Sequence, residues 1–335
     1  MVTEASIESP AASPPPLPQA FVEVRNLSRR FQNVHAVNGV TFDIYPGQVV
    51  GFIGANGAGK TTTMRMMASL DSPDAGYVTI AGHRVSRKPA EVRKLIGWMP
   101  DSYGTYPNMT VLDYLDFFAR AYGLKGSARR ERIAEVMDFA DLTSLADRQM
   151  GKLSKGMGQR LCFGRMLLPD PEFLIMDEPA AGLDPKARIE FKNLVRILAE
   201  RGKTIFISSH ILSELGEMCD TLLFIDSGKL VYHGGAEDLR RGDLQQQSLL
   251  DVTVLGDAAP LISWAEMHPG WKVVDQRRNG ARLTLDAMDD VTVAAGLRQM
   301  IADGIQVLEF HRVERKLEDA FVDILRNQSA PLPGA

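Results

Sequence analysis

Apolar residues along this chain recur in two rhythms, and the changes between them mark out its elements. They alternate with polar neighbours in Phe21-Val22-Glu23-Val24 and in Val40-Thr41-Phe42-Asp43-Ile44, the period of a half-buried strand. Tyr45-Pro46-Gly47 reads as a turn, and Gln48-Val49-Val50-Gly51-Phe52-Ile53 is continuously apolar, as in a buried strand. Residues 62–68 predict a helix, and residues 76–82 a short β-rich stretch. Residues 103–165 read mostly as helices. There Thr110-Val111-Leu112-Asp113 has capping-box form, and Val111, Leu115, Phe118 and Tyr122 share one helical face. Strand patterns return at Phe173-Leu174-Ile175-Met176, Thr204-Ile205-Phe206-Ile207 and Thr221-Leu222-Leu223-Phe224-Ile225. Strands alternating with helices predict an α/β core built on a mostly parallel sheet.

A polar stretch, Arg240-Arg241-Gly242-Asp243-Leu244-Gln245-Gln246-Gln247, breaks this pattern. It divides the chain into a domain over residues 21–240, a linker at 241–248 and a small α+β domain over 249–327. In the small domain, strands are expected at 249–255, 271–276, 282–285 and 306–310. Helices are expected at 258–267, 291–303 and 316–325. The order βαββαβ plus a final helix predicts a ferredoxin-like fold. Residues 1–20 carry five prolines, no lysine or arginine, and read as a disordered tail, as do residues 328–335.

A length of 335 residues suits this two-domain reading, and 45 % hydrophobic with 24 % charged residues is ordinary for a globular protein. The net charge of −4 lends no support to a nucleic-acid partner. No run approaches the ~18–20 apolar residues that span a bilayer, and the N-terminus lacks the pattern of a secretory signal. Cys162 and Cys219 sit in apolar segments and read as small buried hydrophobes in a cytosolic protein.

Chemistry enters at Gly54-Ala55-Asn56-Gly57-Ala58-Gly59-Lys60-Thr61-Thr62, between the apolar strand and the helix. A glycine-rich loop in that position brings backbone N–H groups and a helix N-terminus to nucleotide phosphates. Side chains at Gly57 or Gly59 would block the approach. Lys60 supplies a point charge, and the Thr61 hydroxyl is a Mg²⁺ ligand. A second apolar strand runs into Asp177-Glu178-Pro179. Its end places Asp177 near the metal and Glu178 where it could polarise a water as general base. Between these lies Leu153-Ser154-Lys155-Gly156-Met157-Gly158-Gln159-Arg160. It reads either as a second anion-binding helix start or as an ordinary serine cap, and standing alone the cap is favoured.

Taken as an ordered set, these motifs resemble the nucleotide-binding subunit of ATP-binding cassette transporters. The phosphate loop, the 153–159 signature, 173–178, Gly182-Leu183-Asp184 and Ser209-His210 occur in the family's order and spacing, over about residues 21–235. The resemblance implies a P-loop NTPase fold, ATP and Mg²⁺ as ligands, and two cassettes that dimerise head-to-tail. Each ATP is then held between one phosphate loop and the partner's signature, so that Ser154, Gly156 and Gln159 act in trans. Phe31 would stack on adenine, Asp184 would couple the two sites, and His210 would contact the γ-phosphate. Two positions depart from the family's commonest pattern. Asp101 stands where a glutamine is usual, one methylene shorter and charged, and could still approach Mg²⁺ as a third metal-side residue beside Thr61 and Asp177. The signature reads Ser-Lys-Gly-Met in place of Ser-Gly-Gly-Gln.

Those departures, and the closing segment Glu314-Arg315-Lys316-Leu317-Glu318-Asp319-Ala320-Phe321, look like exporter ATPases of the drug, sodium and polysaccharide type. Such subunits are homodimeric and work with separate membrane permeases at the cytoplasmic face of the inner or plasma membrane. The docking groove for the permease is expected near residues 101–122, where Tyr103, Tyr106, Phe117 and Phe118 suit such a surface. For Phe117 and Phe118, packing in the core is the preferred reading. The alternatives are a soluble cassette ATPase of translation or repair and an importer subunit. A single cassette without sustained heptads disfavours the first, and the variant signature and tail disfavour the second.

Overall fold

The computed structural model describes residues 19–102, 104–235, 238–239, 249–285 and 289–313. The chain divides into two compact units, Met1–His233 and Gly234–Ala335. Residues 1–18 of the tail expected over 1–20, the tail at 328–335, Tyr103, the linker at 241–248, the closing segment from Glu314 and the 316–325 helix lie outside the described residues.

The first unit opens with β1 (Val22–Phe31) and β2 (Val34–Ile44), which pair antiparallel. β1 also pairs antiparallel with β4 (Ala75–Ile80), and β4 with β5 (His83–Arg84), giving the order β2-β1-β4-β5. Only the first few residues of β1 alternate in sequence. Register shifts after Val24, Leu27 and Arg29 move side chains off strict alternation, so the pattern fades while the pairing continues. Behind this sheet lies a second one of six strands. It contains β3 (Val49–Ile53), β6 (Ile96–Met99), β7 (Phe173–Met176), β8 (Thr204–Ser209), β9 (Thr221–Asp226) and β10 (Lys229–Gly234), in the order β10-β9-β3-β8-β7-β6. Pairing is parallel from β9 through β6. The expected parallel core is present, beside an antiparallel sheet the sequence pattern did not separate from it.

One apolar cluster joins the two sheets, running from Val22, Val24 and Phe42 to Phe52, Ile175 and Phe206. The Phe206 ring lies 5.7 Å from Phe42 and 5.1 Å from Phe52, within the range of favourable aromatic pairs. This packing holds β3, β8 and β7 side by side, so their C-terminal ends form one edge. In parallel α/β sheets that edge is where ligands bind.

Helix α1 (Lys60–Met67) follows β3, and α2 (Pro89–Leu95) precedes β6. A helical group then forms from α3 (Val111–Ala121), α4 (Gly126–Phe139) and α5 (Lys155–Leu167), which pack on one another. Thr110 and Asp113 make the expected reciprocal capping box of α3. Val111, Tyr114, Leu115 and Ala119 take its buried face, leaving Phe117 50 % exposed. The preference for Phe117 as core is therefore corrected: it touches Phe118 edge-on at 5.2 Å from outside the core. Phe118 is half-buried between Tyr114 and Arg165. Both cysteines are free and buried, and burial pushes the Cys162 thiol up to about 11 and Cys219 higher still, which leaves both inert at neutral pH. Helix α6 (Pro185–Glu200) links β7 to β8, and the short α7 (Leu212–Gly216) links β8 to β9.

The second unit runs β11 (Leu249–Val254), α8 (Ala259–Met267), β12 (Trp271–Arg277), β13 (Gly280–Leu285), α9 (Asp290–Ala302) and β14 (Val307–Val313). Its strands pair antiparallel in the order β12-β13-β11-β14, the arrangement expected of a ferredoxin-like domain. Leu250, Val252, Ala281 and Leu283 cover one sheet face, and Leu261, Trp264, Val293 and Met300 pack on it from the helices. Trp264 Nε1 donates to Asp303 at 2.8 Å, so the largest ring of this core keeps its polar group satisfied.

Candidate active site

The chain leaves β3 at Ile53 and turns through residues 54–59 into α1. Three glycines permit that turn for different reasons. A Cβ on Gly54 would stand 2.4 Å from the Ile225 carbonyl oxygen, and one on Gly59 2.3 Å from that of Ala36. Gly59 also has φ 111° and caps α1. At Gly57 no atom of the chain lies within 4 Å of a built Cβ, and its φ of 83° is what favours glycine. Clearance for a ligand is thus only part of the explanation, since Gly54 and Gly59 are already required by backbone on neighbouring strands.

Lys60 begins α1 with its side chain only 6 % exposed. Its ammonium donates to Gly54 O at 2.7 Å and Ala55 O at 3.3 Å, and lies 3.2 Å from Glu178 Oε1. The next residue, Thr61, donates its hydroxyl to Asp177 Oδ2 at 2.7 Å. Asp177 follows β7, is 1 % exposed, and receives a second bond from Ser208 Oγ to Oδ1 at 2.6 Å. Burial pushes its carboxyl above the usual carboxylate range. The Ser208 and Thr61 donors pull it back down, and the negative charges of Asp101 and Glu178 push it up.

Glu178 has φ 49°, a left-handed conformation that costs a residue with a Cβ about 1 kcal/mol or more. Its N–H donates to Ser208 Oγ at 2.8 Å, and its Oε2 lies 2.8 Å from His210 Nδ1. A carboxylate can only accept, so Nδ1 carries the hydrogen in that contact. Glu178 Oε1 accepts no well-aligned hydrogen bond and has the Lys60 ammonium as its nearest cation. The base candidate is therefore held by Lys60 on one oxygen and His210 on the other.

A buried carboxylate so placed costs stability in return for function. Asp177→Asn is expected to raise the thermal midpoint of the nucleotide-free chain by about a few degrees. The folded-state pKa is raised, so the gain is present at neutral pH and fades as pH falls through it. Thermal melts at pH 7 and pH 4 check this, and a lower midpoint at pH 7 would contradict it.

The remaining sequence candidates lie around this centre. Asp101 follows β6, is exposed, and turns its Oδ1 to its neighbour's Ser102 N–H at 2.7 Å. Phe31 ends β1 with 47 % of its surface exposed, and the Arg29 guanidinium sits 5.0 Å from its ring centre. Ser154 caps α5, accepting from Met157 N at 3.3 Å, and Asp184 caps α6, accepting from Ala187 N at 2.9 Å. Gly156 would tolerate a Cβ in this chain, 3.6 Å from Leu183. Gln159 is buried, with its Oε1 unpaired.

The structure thus gathers Lys60, Thr61, Asp177, Glu178 and His210, with Asp101 close enough to act on Asp177. Ser154, Gly156 and Asp184 stand apart around Leu183, and no hydrogen bond or ion pair among the described residues joins them to the first group. One central residue escaped the sequence reading. Ser208 is the next-to-last residue of β8, one step beyond the Met176–Ile207 pair, and its side chain faces Asp177. That polar end of a buried run was the available signal.

A lysine-bearing glycine loop on the middle of a parallel sheet, facing a strand that ends in paired carboxylates, defines a P-loop nucleoside triphosphatase. The model of the ABC transporter family matches residues 37–181. The Nod factor export ATP-binding protein I of Paraburkholderia xenovorans (strain LB400) is 36 % identical over 307 residues, covering 91 % of this chain and 97 % of that one. The ABC transporter ATP-binding protein NatA of Bacillus subtilis (strain 168) is 38 % identical over 224 residues, 65 % of this chain and 91 % of that one. Among solved structures, an ATP-binding subunit of an ABC transporter superposes with a TM-score of 0.60 at 30 % identity, covering 66 % of this chain and 92 % of its own. The chain belongs to the ATP-binding proteins of ABC transporters, a family that binds and hydrolyses ATP.

Proposed function

We propose that this chain is the ATP-hydrolysing half of an exporter, working as a homodimer beneath separate membrane subunits. The observation carrying the site assignment is the convergence of Lys60 and His210 on Glu178 beside an Asp177 held by Thr61. Lys60 releases Glu178 and takes up the nucleotide phosphates, with the backbone of residues 54–60 and the α1 N-terminus. Glu178, freed from that cation, accepts a proton from the attacking water. His210 holds the γ-phosphate, and Phe31 offers the exposed face of its ring to adenine.

Magnesium fits the donor set, since Thr61 and Asp177 offer oxygen ligands suited to a hard cation. Among the described residues no group of three or more acidic, histidine or cysteine side chains could hold a metal alone. That matches an ion bound largely through phosphates and water. When bound, it neutralises charge on the phosphoryl oxygens. Asp101 lies on the same side and adds a negative charge near that pair. Removing divalent cations with EDTA should stop phosphate release by the purified chain, and excess Mg²⁺ should restore it. Undiminished hydrolysis in EDTA would remove Thr61 and Asp177 from metal binding.

Ser154 and Gly156 would complete the site of a second copy, with Asp184 at the seam. Gln159, being buried, supports α5 rather than meeting a ligand directly. Among the described residues no helix is long and apolar enough to cross a membrane, which suits a subunit that drives separate membrane partners from the cytoplasmic face. Tyr106, Phe117 and Tyr122 are about half exposed; Phe117 and Tyr122 flank Phe118 while Tyr106 lies against Tyr114, an aromatic patch that suits protein docking. Export as the direction rests on the name of one of the two relatives, the Nod factor export ATP-binding protein I. Co-expression with a membrane subunit of about six spans should bring the chain into the membrane fraction. If it stays soluble and hydrolyses ATP equally well, the non-transport reading gains.

A further inference from the structure

We propose that Ser208 is a positioning residue for ATP hydrolysis: its single hydroxyl ties the metal-side carboxylate Asp177 to the backbone of the base Glu178. The inference rests on the roles given above to those two acids. Ser208 is fully buried one residue before the end of β8, within reach of the turn that follows β7. Its one proton goes to Asp177 Oδ1 at 2.6 Å, because an ionised carboxylate only accepts. A lone pair on the same oxygen receives the Glu178 N–H at 2.8 Å. A single atom therefore ties the Asp177 carboxylate to the main chain of Glu178.

The second bond matters because Glu178 holds a left-handed conformation, with φ 49°. Strained backbone persists only where its surroundings determine it, and the Ser208 oxygen is the partner of the Glu178 N–H. Two residues further on, His210 holds the Glu178 side chain at Oε2. The end of β8 thereby grips Glu178 at both backbone and carboxylate. Ser209 is occupied elsewhere, accepting from Ile211 N at 3.0 Å and lying 3.3 Å from Glu214. The acids on β7 and the histidine after β8 are thus registered by one serine. An alanine there leaves the Glu178 N–H and one Asp177 oxygen buried without that partner, and lets the two acids drift apart.

Ser208→Ala and Ser208→Thr test this in the full-length chain, with thermal midpoints recorded for each. Removing a buried hydrogen-bond partner to a charged group should lower kcat about 10- to 100-fold in Ser208→Ala. The KM for ATP should change less than about threefold, as expected when an interaction acts on the reacting geometry. Binding of a fluorescent ATP analogue without Mg²⁺ should match the wild type, while the gain in its affinity on adding Mg²⁺ should shrink. Ser208→Thr keeps the hydroxyl and should recover most of kcat. If the added methyl unfolds that variant, the kcat-against-KM split and the Mg²⁺-dependent binding of Ser208→Ala still decide. Unchanged kcat in Ser208→Ala overturns the proposal, as does an equal loss of metal-free nucleotide binding. Glu178→Gln with normal turnover would instead overturn the assignment of the base, so the two failures are distinguishable.

Discussion

Glu178→Gln lowers ATP turnover by about 10²- to 10⁴-fold, the usual worth of a positioned general base, while ATP stays bound. The amide copies the shape of the carboxylate and can still accept from His210 Nδ1, so the fold around φ 49° persists. What disappears is the capacity to take a proton, together with the attraction of Oε1 for the Lys60 ammonium. The second loss favours nucleotide binding, because Lys60 then reaches the phosphates without leaving an anion behind. Phosphate release should collapse while retention of labelled ATP equals or exceeds that of the wild type. Normal phosphate release would show that Glu178 is not the base.

Lys60→Ala has the other large effect, on binding. Truncating one member of a buried, hydrogen-bonded charge pair costs about 2–5 kcal/mol, or at least about 30-fold in affinity. The lysine is almost wholly buried and has the Glu178 carboxylate as its counter-ion, so the variant also leaves that carboxylate without its cation. Some loss of stability in the nucleotide-free chain follows. A ligand that binds only the folded state raises its midpoint, which gives a second readout. Wild-type chain should gain several degrees with saturating Mg²⁺-ATP, and Lys60→Ala should gain almost nothing. An equal thermal shift in both would place the phosphates elsewhere.

The phosphate loop and the Asp177-Glu178 strand end were legible because each is local. Glycines with positive φ, a lysine opening a helix and an apolar run ending in two acids all lie within a few residues of one another. The ferredoxin-like unit was legible for a related reason: its two central strands, β11 and β13, carry the buried apolar positions Leu250, Val252, Ala281 and Leu283 in an unshifted pairing. Where local pattern and tertiary context part, the reading failed. β1 continues through Arg25–Phe31 residues whose register slips, so its pairing with β2 and β4 carries no clean period. Phe117 follows Tyr114 by three residues and Phe118 by four, and both positions sit near the apolar stripe. Only packing against α5 decides that Phe118 turns inward. Ser208 showed only as a polar residue closing an apolar run, and its partner became visible once β7 and β8 were paired in the sheet. Ser154 and Asp184 show the opposite case, because their side chains make ordinary helix caps in the single chain. A role across a subunit boundary needs a second copy to become visible.

That second copy is the central claim, and solution mass tests it most directly. Light scattering of Glu178→Gln with saturating Mg²⁺-ATP should give about twice the 36.9 kDa of one chain, returning to a single mass in ADP. Adding Ser154→Arg to that variant should keep the single mass while leaving ATP bound. A Glu178→Gln chain that binds ATP and still weighs 36.9 kDa would contradict the account.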